Sequence, residues 1–190
     1  MPKSKKIRRI IWDLRFFRGD KERYEKASFW EKAIEREIMS LFPEEIKEHI
    51  EFSFGPGAGS GEKLESSPFD INHPWDIEFS YDGEIFAYVE VAQRYSITFD
   101  KYPTQFIQDY KVEALPNARE PVFFVYVFSQ SGEYYWTTRT LAKTYPTDIT
   151  RAWVKELGRY REQRNYEVAK EAWRSGLESL VKEMLKGCPG

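Results

Sequence analysis

The sequence predicts an α/β protein with a mixed central sheet and a helical C-terminal extension. Three patterns carry this prediction. Apolar residues recur at helical spacing from Lys21 to Phe42, apolar and polar residues alternate on both sides of Asp82-Gly83, and the run Pro121–Ser129 is nearly all apolar. These patterns are typical of an amphipathic helix, a hairpin with one core face, and a strand buried on both faces.

Length and composition narrow the class of protein. The chain has 190 residues, enough to enclose one hydrophobic core, and 32% of them are charged. It contains no run of about 18 apolar residues, so we expect no membrane-spanning helix and no membrane partner. The basic N-terminal end lacks the apolar core of a signal peptide. Cys188 is the single cysteine, which excludes an intrachain disulfide and fits a reducing, cytoplasmic location.

Charge is unevenly distributed, although the net charge is only −2. Residues 1–26 carry ten Lys or Arg against four Asp or Glu. Residues 27–92 carry four against fifteen, and residues 93–190 carry fifteen against twelve. An acidic middle between basic ends suits a metal site in a phosphate-binding protein, although a basic terminus also serves as a plain solubilising tail.

The chain divides into three parts by charge and apolar spacing. Residues 1–20 form a basic arm, residues 21–146 a central domain, and residues 147–190 the helical extension. In the arm, Ile7–Phe17 is apolar enough for an edge strand or a helix. A first helix is predicted over Lys21–Phe42, where the following proline stops it.

The later elements follow from apolar spacing and turn residues. A strand is predicted within Ile46–Phe54, followed by a Gly/Ser-rich loop that begins at Gly55 and that cannot hold one conformation alone. After the central hairpin we predict a helix at Thr104–Leu115, strands at Pro121–Ser129 and Glu133–Leu141, and two helices with apolar stripes at Ile149–Tyr160 and Ala169–Leu185.

The hairpin Pro74–Arg94 is the central feature. Its predicted core face carries Ile77, Phe79, Tyr81, Ile85, Ala87, Val89 and Val91, and its outer face carries Asp76, Phe86 and Glu90 among others. A two-residue loop would place Asp76 and Glu90 on opposite faces. A three-residue loop, Tyr81–Gly83, places them on one face, diagonal to each other and within reach of one cation. The apolar alternation favours the three-residue loop.

Pro-x-Asp at a strand start, followed by Glu-x-Lys on the next strand, is the arrangement of the PD-(D/E)xK nucleases. The hairpin resembles this restriction-endonuclease-like superfamily. Pro74 and Asp76 take the first part, with Trp75 between them, and Glu90-Val91-Ala92 takes the second. The predicted core order of helix, three strands, helix and strand agrees with that superfamily. The resemblance implies a DNA endonuclease that uses Mg²⁺ or Mn²⁺, held by Asp76, Glu90 and the Val91 carbonyl.

The first helix adds a second resemblance. Its run Glu35-Arg36-Glu37-Ile38 is similar to the first helix of archaeal Holliday-junction resolvases. That likeness implies Glu35 as a third acid of the metal site. Glu31, one turn earlier, is the reserve candidate, and a solvated glutamate in a charged helix is the ordinary alternative.

The sequence departs from the superfamily pattern at Ala92, which stands where the family has its lysine. Either the chain is a degenerate member, another side chain substitutes, or the lysine was replaced to give an inactive form. Arg94, Lys101 and Lys111 are the cationic candidates for this role and for contacts with nucleic acid. Arg94 can neutralise phosphate but cannot serve as a general base, because a guanidinium group stays protonated.

Two other functions stay open. The same fold could bind nucleic acid without catalysis, which the missing lysine would explain. Alternatively, the aromatic residues and terminal helices could build an assembly, for example a homodimer, in which the carboxylates are incidental. For the two terminal helices, packing on the domain is the ordinary interpretation. The alternatives are a dimer contact or a basic helix that touches DNA through Arg159, Arg161 and Arg164. His49 and His73 have no recognisable partners and are interpreted as surface or turn residues.

Overall fold

A six-stranded sheet with a smaller sheet beside it organises the chain in the computed structural model, which describes residues 21–55, 75–94, 97–154 and 159–190. The helices are α1 (Lys21–Leu41), α2 (Glu44–Lys47), α3 (Asp109–Glu113), α4 (Arg139–Ala142) and α5 (Leu177–Leu185). The strands are β1 (Ile50–Phe54), β2 (Ile77–Tyr81), β3 (Glu84–Arg94), β4 (Thr104–Gln108), β5 (Val122–Phe128), β6 (Glu133–Thr138), β7 (Thr147–Val154), β8 (Arg159–Ala169) and β9 (Arg174–Ser175).

The larger sheet is mixed and has the order β1-β2-β3-β5-β6-β9. Strands β1, β2 and β3 form an antiparallel meander, and β3 runs parallel to β5. The chain returns antiparallel through β6, which pairs with the short β9. The smaller sheet has the order β4-β8-β7. The predicted α/β class with a mixed central sheet is therefore confirmed.

Two hydrophobic clusters cover the two faces of the larger sheet. The helix-side cluster contains, among its buried members, Ile34, Ile38, Phe79, Phe86, Val89, Val125, Leu180 and Met184. The opposite cluster contains, among others, Trp75, Ile107, Val112, Phe124, Phe128, Val168 and Trp173. All seven residues of β5 are buried because its side chains enter the two clusters alternately. This burial confirms the prediction of a strand covered on both faces.

The first helix and first strand also agree with the sequence prediction. Helix α1 ends at Leu41, next to the predicted end at Phe42, and β1 has the predicted residues Ile50–Phe54. Ile34 and Ile38 of α1 and Phe42, the residue that follows it, are buried, as their helical spacing predicts.

The predicted helix Thr104–Leu115 is wrong in its first half. Residues Thr104–Gln108 form β4, and only Asp109–Glu113 are helical. Gln105 and Ile107 are buried while Phe106 is 40% exposed, which is the two-residue period of a strand. Backbone pairing with β8 therefore overrides the helical spacing in this segment.

The helical C-terminal extension is also wrong in its first half. Residues 147–154 and 159–169 form the antiparallel pair β7–β8. Helix α5 is the helix that the second apolar stripe predicted, shortened to nine residues. The spacing of Ile149, Ala152 and Trp153 fits a helix, but Thr147, Ile149, Thr150 and Val154 are β-branched and favour a strand.

Some predicted features fall outside the described residues. They are the basic arm at 1–20 with its Ile7–Phe17 segment, most of the Gly/Ser-rich loop, His73 and Pro74. Within the described ranges, none of the helices combines the length and apolarity needed to cross a membrane.

Candidate metal and catalytic site

The hairpin turn has two residues, so the predicted three-residue loop is wrong. Tyr81 pairs with Glu84, which leaves Asp82 and Gly83 as the loop. Both have left-handed backbone conformations, with φ of 46° for Asp82 and 83° for Gly83. Asp-Gly with two positive φ values is the turn whose twist matches that of a hairpin.

An extra residue in β3 nevertheless brings the two acids to one face. Ser80 pairs with Ile85, but Phe79 pairs with Ala87, so Phe86 has no partner on β2. This bulge restores the parity that the two-residue turn removes. The outer-face position predicted for Phe86 is wrong, because Phe86 is 2% exposed within the helix-side cluster.

The register beyond the bulge sets Asp76 opposite Glu90. Ile77 pairs with Val89 and Glu78 with Tyr88, so the residue before Ile77 faces Glu90. Two hydrogen bonds fix Asp76, one to its backbone carbonyl and one to its side-chain carboxylate. Its carbonyl accepts a 2.8 Å hydrogen bond from the N–H of Gly55, and its Oδ2 accepts one of 2.7 Å from the N–H of Val91.

Lys111 completes the cluster from a different element. Its ammonium donates a hydrogen bond to Oε1 of Glu90, whose side chain is 4% exposed. Two contacts fix α3 in this position. The indole N–H of Trp75 donates to the Lys111 carbonyl at 3.0 Å, and Val112 is fully buried in the opposite cluster. A residue next to Asp76 thus anchors the helix that supplies the lysine.

Burial makes the two carboxyl groups hold protons unusually tightly. Burial, with a further contribution from the charge of Glu31, raises the pKa of Asp76 to about 7, against the lowering effects of Lys111 and the Val91 N–H. Burial and the charge of Asp76 raise the pKa of Glu90 to about 8, although Lys111 lowers it. The single lysine does not fully offset two adjacent carboxylates, so the pair is suited to a further cation.

The structure brings Glu31, the reserve candidate, into electrostatic contact with Asp76. Glu31 and Glu35 lie one turn apart on α1, and each is 7% exposed. Burial raises the pKa of Glu35, and the charge of its neighbour Arg36 offsets part of this rise. Glu31 is therefore the better candidate for the third acid.

The remaining predicted residues have different surroundings. Ala92 shares the Glu90 face of β3 and packs, half-buried, against the opposite cluster. Arg94 turns inward, donating to the Phe106 carbonyl at 3.0 Å and lying 4.3 Å above the Tyr126 ring. Lys101 is exposed and lies 5.5 Å from the Tyr102 ring. Lys111 is thus the candidate cation that reaches the acids.

Tyr126 is a neighbour of the site that the sequence patterns did not single out. Its buried hydroxyl donates to the Phe106 carbonyl. Burial raises the pKa of Tyr126, and the positive charges of Arg94 and Lys111 offset part of this rise. The charge of Glu90 also raises this pKa, so the hydroxyl lies within electrostatic reach of the acid–lysine cluster. A tyrosine in the middle of a strand buried on both faces was the available signal, because a buried hydroxyl needs a partner.

Within the described ranges, no three His, Cys, Asp or Glu side chains converge closely enough to form a metal cage. Mg²⁺ does not require one, because it commonly binds through one or two carboxylates and retains several waters. His49 lies at the other end of the hairpin, with Nδ1 2.9 Å from Oδ1 of Asp82. In comparisons with family models, curated proteins and solved structures, none matches the chain.

Proposed function

We propose that this chain is a metal-dependent DNA endonuclease with a restriction-endonuclease-like fold, in which Lys111 takes the role of the lysine missing at Ala92. One observation carries the proposal. Asp76 faces Glu90 across β2 and β3, and the Lys111 ammonium contacts Glu90 from α3. Two buried acids beside one lysine are the side chains that metal-assisted phosphodiester hydrolysis needs.

The order and direction of the elements support the fold assignment. Helix α1 precedes the meander β1–β2–β3, and a crossover that includes α3 leads to β5, parallel to β3. Apart from the short α2 and the crossover strand β4, which belongs to the smaller sheet, this order agrees with the α-β-β-β-α-β order that the sequence resemblance implies. Asp76 directly precedes β2, and Glu90 lies in the half of β3 that is remote from the turn. Lys111, from the crossover, contacts Glu90 there.

The side chains divide the chemistry among them. Asp76 and Glu90 would hold Mg²⁺ or Mn²⁺, with Glu31 as a further acid near Asp76 and the Val91 carbonyl as a further oxygen. When bound, the ion would polarise the phosphate and promote deprotonation of the attacking water. Val91 fixes Oδ2 of Asp76 through its N–H. Lys111 would carry a proton on Nζ beside the acids and offset the negative charge that develops on the phosphate.

A non-catalytic nucleic-acid-binding module is the second candidate. Its supporting observation is the ion pair between Lys111 and Glu90, because a lysine can partly neutralise buried acids in place of a metal. In that case the acid–lysine cluster would stabilise the fold, and neither Mg²⁺ nor Mn²⁺ would bind to it.

Cleavage and metal binding together separate the two candidates. We would incubate linear and branched DNA with the protein in Mg²⁺, Mn²⁺ or EDTA, and measure Mn²⁺ binding directly. Glu90→Gln removes a proposed ligand, and Glu84→Gln, on the same strand but exposed at the turn, is the matched control. We expect metal-dependent cleavage that falls by about 100-fold or more in Glu90→Gln and persists in Glu84→Gln. If the protein neither cleaves DNA nor binds Mn²⁺, the nuclease proposal is wrong and the nucleic-acid-binding module replaces it.

A further inference from the structure

A two-stranded ribbon extends from the smaller sheet. Strand β4 pairs with β8 only between Asn165 and Ala169, whereas β7 pairs with β8 from Arg159 to Tyr166. Residues 149–154 and 159–164 therefore pair with each other beyond the reach of β4. We call these two segments the ribbon.

The ribbon is rich in arginine. Its charged residues are Arg151, Arg159, Arg161 and Arg164 against the single acid Glu162. Ile149 pairs with Arg164 and Arg151 with Glu162, so these four side chains share one face with Tyr160. All five are exposed, Ile149 by 50% and Tyr160 by 65%. Glu162 lies 3.5 Å from Arg151. Because Arg151 and Arg164 face a single glutamate, this face carries a net positive charge.

The base of the ribbon is held by polar contacts on and near the smaller sheet. Asn165 is buried, and its amide donates to Oγ1 of Thr150 at 2.8 Å. The Tyr166 hydroxyl donates to Oε1 of Glu113 at 3.3 Å, which joins β8 to α3. Since β4 runs directly into α3, the ribbon and Lys111 belong to one hydrogen-bonded unit.

We propose that the ribbon binds duplex nucleic acid by entering a groove, with Arg151 and Arg164 on the phosphates. The inference rests on the proposed nuclease function and adds the class of substrate: a double strand. A two-stranded β-ribbon fits the major groove of B-DNA, which is about 12 Å wide. Arginine forks match phosphate oxygens, and Tyr160 supplies apolar contact area beside them. Pairing of this face with the same face of a second copy would bring two net positive surfaces together, which like charges oppose.

The test is DNA binding without catalysis. Fluorescence anisotropy in EDTA would measure the affinity of the full chain for a duplex and for its single strand over a salt series. The variant Arg151→Ala/Arg164→Ala removes two ribbon charges. The matched control Lys182→Ala/Lys186→Ala removes one charge from α5 and one from the residue that follows it, on the other face of the larger sheet. Lys186, like Arg151, is paired with an acid, at 2.6 Å.

We expect the ribbon variant to lose about tenfold in duplex affinity at low salt and its salt slope to fall by about 2, since two phosphate contacts disappear. The control should bind as the wild type does. Unchanged duplex affinity in the ribbon variant would overturn the inference, and so would an equal loss in the control. A wild-type dimer that becomes monomeric in the ribbon variant, with unchanged DNA affinity, would instead assign the face to a second copy.

Failure of the ribbon and failure of the catalytic site give different results. If the acid–lysine site is wrong, cleavage is absent but duplex binding in EDTA still depends on Arg151 and Arg164. If the ribbon assignment is wrong, wild-type cleavage persists and the ribbon variant cleaves with unchanged KM. If both are right, the ribbon variant raises KM for duplex DNA and largely preserves kcat.

Discussion

Asp76 lies opposite Glu90 because Phe86 adds one residue to β3 between the turn and the acids. The two-residue turn at Asp82-Gly83 would otherwise direct the two carboxyl groups to opposite faces. Phe86 packs in the helix-side cluster, with its ring centroid 6.2 Å from that of Phe42. A core contact far from the acids thus sets their relative position.

Phe86→Ala should therefore destabilise the protein strongly. Removal of a buried phenylalanine ring leaves a cavity and costs about 3–5 kcal/mol. Urea unfolding followed by circular dichroism would measure the free energy of unfolding. Phe52→Ala, which truncates a ring that is 40% exposed on β1, is the control and should cost much less. Equal costs for the two variants would show that Phe86 does not hold the bulge in the core.

The metal-free protein should lose stability as pH rises. Asp76 and Glu90 have folded-state pKa values of about 7 and about 8, above their ordinary values of 3.8 and 4.5. A raised pKa means that the folded state binds protons more tightly, so the stabilisation present at low pH disappears as pH rises through the folded-state values. We expect a lower free energy of unfolding at pH 8 than at pH 5.5 in EDTA.

Glu90→Gln supplies the comparison for this pH dependence, because glutamine cannot ionise. The difference in stability between pH 5.5 and 8 should shrink in the variant, while His49, whose pKa is raised by its hydrogen bond to Asp82, contributes equally to both proteins. Mg²⁺ should also stabilise the wild type more at pH 8, where the acids are ionised. An identical pH profile in the two proteins would contradict the assignment.

Glu31→Gln and Glu35→Gln should have unequal effects. Glu31 acts on Asp76 electrostatically, so its neutralisation should weaken Mn²⁺ binding by about 10–100-fold, the range for groups adjacent to metal ligands. Glu35→Gln, one turn away and equally buried, is the matched variant and should have a smaller effect. Calorimetric titration with Mn²⁺ would measure both, and a larger loss in Glu35→Gln would restore Glu35 as the third acid.

Sequence patterns predicted the elements whose burial is regular. The helical spacing of Ile34, Ile38 and Phe42 predicted α1, because these residues are buried. The apolar run Val122–Phe128 predicted β5, because every residue of this strand is buried. The same approach failed at β7, where the spacing of Ile149, Ala152 and Trp153 fits a helix although the segment is a strand. Backbone pairing, which the sequence does not display, decided in favour of the strand.

The candidate site was predicted in its residue types but not in its geometry. The motif predicted Asp76 and Glu90 as the two acids. The three-residue turn that was predicted to place them on one face was wrong. The bulge at Phe86 does so, and the Phe86 ring packs against Phe42, the residue after α1, a tertiary contact that local sequence patterns do not display. Lys111 could not be separated from Arg94 and Lys101 by sequence, because its approach to Glu90 depends on how α3 packs beside Trp75.

The central claim is that Lys111 takes the role of the lysine missing at position 92. Its most direct test is DNA cleavage by the Lys111→Ala variant, measured with and without the second substitution Ala92→Lys. Ala92 lies on the same face of β3 as Glu90, so a lysine there would project to the same side as the acids. We predict that Lys111→Ala lowers metal-dependent DNA cleavage by about 100-fold or more, and that adding Ala92→Lys restores a substantial part of it. Lys182→Ala, which removes an exposed lysine of α5, should cleave as the wild type does. Full activity in a folded Lys111→Ala protein would contradict the claim that Lys111 replaces the lysine absent at position 92.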